Sequence, residues 1–177
     1  MVSQIKVNEI IKQSGSSITI GESGDTINLA GSAYSVAANT PAFFANTSSD
    51  QTSLASGSFT KIQYGTELFD TDGKYDTSNY RFTPGTIGKY YIGASGGGAV
   101  NDGDRVALII YKNGSSYLRE QVGNSNPNGD FFSVHGIAEV TAVTDYFEAY
   151  WYNGSSQAKN FSGGTSTARF WGYKLIT

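Results

Sequence analysis

The chain has 177 residues, of which 38% are hydrophobic and only 15% charged, with a net charge of −3. That length holds one well-cored domain plus an appendage, and a slightly acidic chain without a basic stripe is a poor nucleic-acid partner. There is no cysteine, which excludes a disulfide framework and a thiolate metal site and suits assembly in a reducing cytoplasm.

Residues 1–33 differ from the rest. They lack Phe, Tyr, Trp and Pro, and they show neither a secretory leader nor an apolar run long enough to span a membrane, so no membrane insertion is expected. Ser17-Ile18-Thr19-Ile20 and Thr26-Ile27-Asn28-Leu29 echo each other across Gly21-Glu22-Ser23-Gly24-Asp25. The pattern predicts strand, glycine turn, strand. A lone hairpin is marginal in water, so Ile18, Ile20, Ile27 and Leu29 form an anchoring face that needs a partner. Residues 34–41 read as a linker, and a head domain follows over 42–177.

Within the head, short strands are expected at Ala42–Ala45, Phe59–Phe69 and Gly88–Ser95, the last ending in a Gly96-Gly97-Gly98 turn. Val106–Tyr111 is almost wholly apolar, as in a strand buried on both faces. Asn113-Gly114 is a hairpin turn, because both residues tolerate positive φ, and Asn153-Gly154 repeats the signal. Strands are expected at Ser116–Val122, Phe131–Val143, Tyr146–Tyr152 and Ala168–Ile176, with a polar loop at Gly123–Gly129. Turn signals every 8–12 residues favour a sandwich or barrel, and aromatics at 14% supply a core at roughly 150–250 Å² each.

The stretch Phe69–Ile92 carries Gly73-x-Tyr75-Asp76, then Arg81-Phe82-x-Pro84-Gly85, then Gly88-x-Tyr90-Tyr91-Ile92. This resembles the signature of the complement-type globular head, a jelly roll shared with the tumour necrosis factor superfamily. Asp104–Gly114 is similar to that family's strand ending in Lys-Asn-Gly, and Phe170–Leu175 to its closing strand. Asp145-Tyr146-Phe147-Glu148 matches the penultimate-strand motif with Thr144 in place of its Gly. The resemblance implies an all-β jelly-roll sandwich that packs as a homotrimer through aromatic-rich faces. The arm, with Val7-x-x-Ile10 and Gly21–Ile27, resembles N-terminal segments of marine bacteriophage virion proteins, ahead of a fibre or head domain. Together these imply a virion structural protein assembled in the host cytoplasm, docked on other capsid or tail proteins through its arm. Capsid decoration is the first expectation, and a tail fibre or spike tip with a receptor-binding head the alternative.

No catalytic constellation is expected. His135 is the only histidine, so a metal or catalytic role lacks partners. Neither a P-loop nor a His-Glu-x-x-His pattern occurs. Asn101-Asp102-Gly103-Asp104 offers oxygen ligands but no complete calcium loop. Asp70, Asp72 and Asp76 are expected to cap turns rather than hydrolyse a glycoside. No metal and no cofactor is therefore expected. The late aromatics pose a packing problem, because neighbours in a strand point to opposite faces. One face is therefore an oligomer interface or a sugar platform, and the resemblance favours the interface, which makes Tyr150, Tyr152, Phe170 and Tyr173 the trimer-interface candidates. Asn124, Asn126, Asn128 and Gly97 are taken as loop tips for a host-surface glycan, since loops carry binding on rigid scaffolds.

Overall fold

The structure, a computed structural model, describes residues 23–24, 39–98, 103–123 and 130–175, with only the backbone of Asp130. Ile18, Ile20, Ile27 and Leu29 lie outside the described residues, as do Asn124, Asn126 and Asn128. Of the arm, Ser23 and Gly24 are described, in a turn where Gly24 has a φ of 99°. The remainder belongs to the unit Ala37–Thr177.

That unit is all β among the described residues. In chain order its strands are β1 Ala42–Asn46, β2 Gln51–Leu54, β3 Ser58–Lys61, β4 Thr66–Asp70, β5 Tyr75–Asp76, β6 Arg81–Phe82 and β7 Gly88–Gly98. After them come β8 Arg105–Lys112, β9 Ser115–Gly123, β10 Asp130–Val140, β11 Phe147–Asn153, β12 Lys159–Phe161 and β13 Arg169–Lys174. One sheet has the order β10-β7-β13-β1-β4. The other runs β5-β6-β11-β8-β9, with β3 also paired to β11. A small β12-β2 pair lies beside them.

The two sheets bury a core between them that is dominated by rings. Phe43 stacks on Tyr75 at 4.6 Å between centroids and lies 4.3 Å from Phe82. Phe170, Tyr64, Phe161 and Trp151 continue the cluster. A buried phenol needs a hydrogen-bond partner, and each one here has it. Tyr75 donates to the Tyr64 carbonyl at 2.8 Å, Tyr64 to the Ser95 carbonyl at 3.0 Å, and Tyr90 to the Thr86 carbonyl at 2.8 Å. Burial pushes the Tyr90 hydroxyl up to about 12.

Four sequence expectations change. Phe59–Phe69 is two strands on different sheets, because Ile62 and Tyr64 turn inward and the chain crosses between layers there. Gly96, Gly97 and Gly98 are not a turn but the buried end of β7. The Phe161 ring occupies the space of a Cβ at Gly96, and the Asn160 carbonyl that at Gly98. Gly97 is thus no loop tip: it pairs with Phe131, and its carbonyl accepts from Ser162 N at 2.8 Å. Asn153 makes no hairpin turn. It ends β11 and points inward, donating to the Leu54 and Gln157 carbonyls while accepting from Ser155. Asn113-Gly114 does form the expected turn, with φ of 52° and 78°.

The head has two distinct ends. Pro41, Thr71 and Lys174 meet at one, through Thr71 N to the Ala42 carbonyl and Lys174 N to the Pro41 carbonyl. Asn39 and Thr40 lead into β1 at this end. Gly98 pairs with Asp130, and Arg105 with Gly123, at the opposite end.

Candidate interaction face

The two sheets treat their outer faces differently. On the six-stranded sheet, β11 alternates Phe147, Ala149 and Trp151 into the core with Glu148, Tyr150 and Tyr152 outward. The outward groups are closed among themselves. The Glu148 side chain is 3% exposed and pairs with Lys61 at 2.7 Å and Arg81 at 2.8 Å. Burial pushes its carboxyl up, and the hydrogen bonds and charges of Lys61 and Arg81 outweigh that and hold it below the usual range. Tyr150 donates to Glu148 at 3.3 Å and stacks on Tyr111 at 4.2 Å. Burial, then the Glu148 charge, push the Tyr150 hydroxyl up to about 12. Arg81 covers Tyr146 at 3.9 Å, and Arg119 lies 5.8 Å from both Phe59 and Tyr152. These contacts also bury Ile109, which faces away from the core, so β8 is buried on both faces as its sequence predicts.

The five-stranded sheet is open. Its register sets one row of side chains across all five strands: His135 on β10, Gly93 on β7, Trp171 on β13, Phe44 on β1 and Phe69 on β4. The next row runs Ile137, Tyr91, Tyr173, Ala42. Gly93 is needed because the Trp171 indole lies flat across it, in the space a Cβ would take. Phe44 and Phe69 stack at 6.1 Å, and Tyr91 bridges Tyr173 at 5.7 Å and His135 at 5.6 Å. Ile137 is 61% exposed, Phe131 51% and Phe69 50%. Relief is uneven along the face. Ile137 and Phe131 stand out from the edge strand β10. Beside them Ala42, Phe44, Phe69, Arg169, Trp171 and Tyr173, with Ser95 on β7 and Ser133 on β10, line a shallow concavity that crosses the sheet.

The four interface candidates thus separate. Tyr173 belongs to the open face. Tyr150 and Tyr152 lie on the opposite sheet, half-buried against their own neighbours. Phe170 is corrected outright: it is fully buried in the core, because β13 turns Phe170 and Gly172 inward and Trp171 and Tyr173 outward. Sequence reasoning missed Phe44, Phe69, Tyr91, Phe131, Ile137 and His135. The alternation of Phe131, Ser133, His135 and Ile137 along one strand was the available signal.

Of the three corner carboxylates, Asp70 and Asp76 cap turns as expected. Asp70 accepts from Asp72 N and Tyr75 N, and Asp76 from Ser78 and Asn79. Hydrogen bonds from the Ser78 and Asn79 side chains lead the causes that hold the Asp76 carboxyl well below its usual range. Gly93-Ala94-Ser95-Gly96-Gly97 fits the Gly-x-Ser-x-Gly spacing, but a nucleophile elbow needs a sharp strand-to-helix turn. Ser95 sits mid-strand, and its hydroxyl donates to the Thr167 carbonyl at 2.8 Å. No cluster of three metal-ligating side chains occurs among the described residues.

Against solved structures, the chain is similar to the globular domain of zebrafish complement 1qA protein. The two are 17% identical with a TM-score of 0.58, over 77% of this chain and 98% of that one. The described head is a tumour-necrosis-factor-like jelly roll. Murine APRIL at pH 5.0 gives a TM-score of 0.59 at 7% identity, and at pH 8.0 a TM-score of 0.58 at 8%; each comparison covers 76% of this chain and 98% of the other. No family model matches the sequence, and no curated protein matches it. At these identities the likeness carries the fold, and one fold hosts many functions.

Proposed function

We propose that this chain is a structural protein of a bacteriophage virion, a homotrimeric jelly-roll head fastened to the particle by its N-terminal arm. The observation that carries the trimer is the open face of the five-stranded sheet. A contiguous apolar patch of that kind on a soluble head marks an interaction surface. Its relief is complementary, with Ile137 and Phe131 standing out at β10 and a hollow across the sheet lined by Phe44, Phe69, Trp171 and Tyr173. A contact between different patches of one surface is heterologous, and it closes into a ring when the rotation permits. Ile137 of one protomer seats in the hollow of the next, and three copies close the ring. The six-stranded sheet, where Glu148 and Tyr150 already pair with their neighbours, faces solvent.

The arm supports the virion assignment through its resemblance to phage virion segments. The two ends of the head fit that role: the arm joins at Pro41, while the opposite end carries polar turns such as Ser48-Ser49-Asp50 and Thr165–Thr167. Three arms at one end of a trimer bind with avidity, because the second and third engage at high effective concentration. Capsid decoration is the first reading. The polar far end favours a second, a tail fibre or spike tip whose loops meet a host glycan.

Equilibrium sedimentation of the purified chain is expected to give three times the protomer mass, and antibody labelling of intact particles to place the chain on the capsid. Removing residues 1–31 should leave a folded trimeric head that no longer joins particles. A stable monomer at micromolar concentration overturns the trimer, and normal incorporation of the truncated head overturns the anchoring role. Tail labelling with glycan-array hits selects the second reading.

A further inference from the structure

We infer that a polar cleft beside the start of β4 holds one neutral hexopyranose ring, with Asp50 accepting from its hydroxyls and the Tyr80 ring against its carbon face. The inference gives the host-glycan reading above a site, and it rests on that reading.

The cleft opens where the chain changes layer between β3 and β4. Ile62 and Tyr64 turn into the core there, which leaves Gln63 and Gly65 to the outside. With Ser49, Asp50, Gln51 and Tyr80 they wall a cleft of about 240 Å³. That is below the roughly 300–1,000 Å³ of a site that encloses a drug-sized ligand, so one ring fits and the rest of a glycan chain lies outside. The cleft shares no residue with the hollow proposed to seat Ile137.

The fold fixes the polar walls. The Gln51 amide lies across the crossing segment as a strand would. It donates to the Lys61 carbonyl at 3.0 Å and accepts from Gln63 N at 3.0 Å, which leaves it a second hydrogen and a second lone pair. Gly163 N donates to Asp50 Oδ1 at 2.8 Å, and Oδ2 takes no hydrogen bond from a described residue. Thr47 ties the same turn down, its hydroxyl accepting from Gly164 N at 3.2 Å.

Tyr80 is the informative residue. Its φ is 52°, a region that bulky side chains rarely enter, and Asn or Gly would sit there with less strain. What tyrosine adds at that position is its ring. The ring is half-buried beside Gly65, where a Cβ would stand 3.4 Å from Cε1. A pyranose matches this set, because its C–H face lies on an aromatic ring while its rim of hydroxyls donates to a carboxylate and exchanges hydrogen bonds with an amide. No Lys or Arg lines the cleft, so a sugar acid would meet Asp50 without a counter-charge. The ligand is therefore neutral.

The test applies the full chain to a glycan array and to saturation-transfer NMR titrations. The probes are the methyl glycosides of glucose, galactose, mannose and N-acetylglucosamine, beside N-acetylneuraminic acid. D50N keeps an oxygen for Gly163 N and replaces the other by a donor. Y80N removes the ring and places at 80 a residue that takes positive φ more readily, so the head should be no less stable; urea unfolding checks both variants. The expected result is binding of at least one neutral glycoside, weakened about ten- to a hundredfold by D50N, as for a lost hydrogen bond to a charged group, and abolished by Y80N. Array hits that neither variant alters overturn this site and leave the glycan reading standing. Loss in only one variant also overturns the site, since ring and carboxylate are assigned to one sugar. Binding of N-acetylneuraminic acid alone overturns it through the charge. No array hit and no saturation transfer overturns the site and the glycan reading together.

Discussion

Replacing Ile137 by Ser separates assembly from folding. The side chain is 61% exposed in the protomer, so the protomer's own fold should shift by less than about 1 kcal/mol. Fully burying an isoleucine is worth roughly 1.5–3 kcal/mol. The exposed share therefore supplies about 1–2 kcal/mol at each interface that covers it. A ring of three has three such interfaces, so I137S should cost about 3–6 kcal/mol per trimer. At 1.4 kcal/mol per decade this is a fall of roughly 10²–10⁴ in the association constant. Sedimentation over a concentration series measures it, and urea unfolding measures the protomer's stability separately. Phe59→Ser is the control: Phe59 is 46% exposed but lies on the other sheet against Tyr152 and Arg119. Association unchanged in I137S, or weakened equally in F59S, refutes the assignment of the five-stranded face.

Phe170→Ala should destabilise the head by about 3–5 kcal/mol, seen as a lower urea midpoint; a change in trimer affinity without loss of stability would restore Phe170 to the interface. Glu148→Ala strands Lys61 and Arg81, and because their side chains are 28% and 37% exposed the loss should be about 1–3 kcal/mol, less than for a fully buried pair. Asp145 accepts from Asn113, Lys112, Thr141 and Ala142, and the Asn113 hydrogen bond leads the causes that hold its carboxyl well below the usual range. A depressed carboxyl stabilises fully above the unfolded value near 3.9 and loses that stability as pH falls towards the folded value. The melting-temperature gap between native chain and D145N should therefore be constant from pH 5 to 7 and shrink below about pH 4, and a gap that widens in acid refutes the role. Gly93→Ala should lift the Trp171 indole off the sheet and weaken association while leaving the core intact, as seen by sedimentation and by urea unfolding.

Features that live within one strand or one turn were legible. The apolar run Val106–Tyr111 marked a strand covered on both sides, and Asn113-Gly114 marked a hairpin whose backbone demands positive φ. The Tyr75, Phe82 and Tyr90 motif pointed to the jelly roll through its resemblance to that family's signature. What escaped depends on register between distant strands. Alternation shows that Tyr150 and Trp151 face opposite ways, but not that the outside of β11 and the outside of β13 are opposite surfaces of the head. The row from His135 to Phe69 joins five strands spread over more than half the chain. Gly96–Gly98 misled for another reason: glycine there provides room for Phe161 and Asn160, not a turn. Ile62 and Tyr64 split a continuous strand signal because both are drawn inward where the chain changes layer.

The chain has two tryptophans, and the fold places them in opposite circumstances. Trp151 is fully enclosed among Phe161 and its core neighbours, while Trp171 lies half-buried on the open sheet over Gly93. The molecule therefore carries two intrinsic fluorophores that respond to different events. Emission from Trp151 changes only when the sandwich comes apart. Emission from Trp171 should shift to the blue when another surface excludes water from it. Replacing Trp151 by Phe would leave Trp171 to report partner docking, read in real time without a label while the head stays folded, and replacing Trp171 by Phe would leave a signal of unfolding alone.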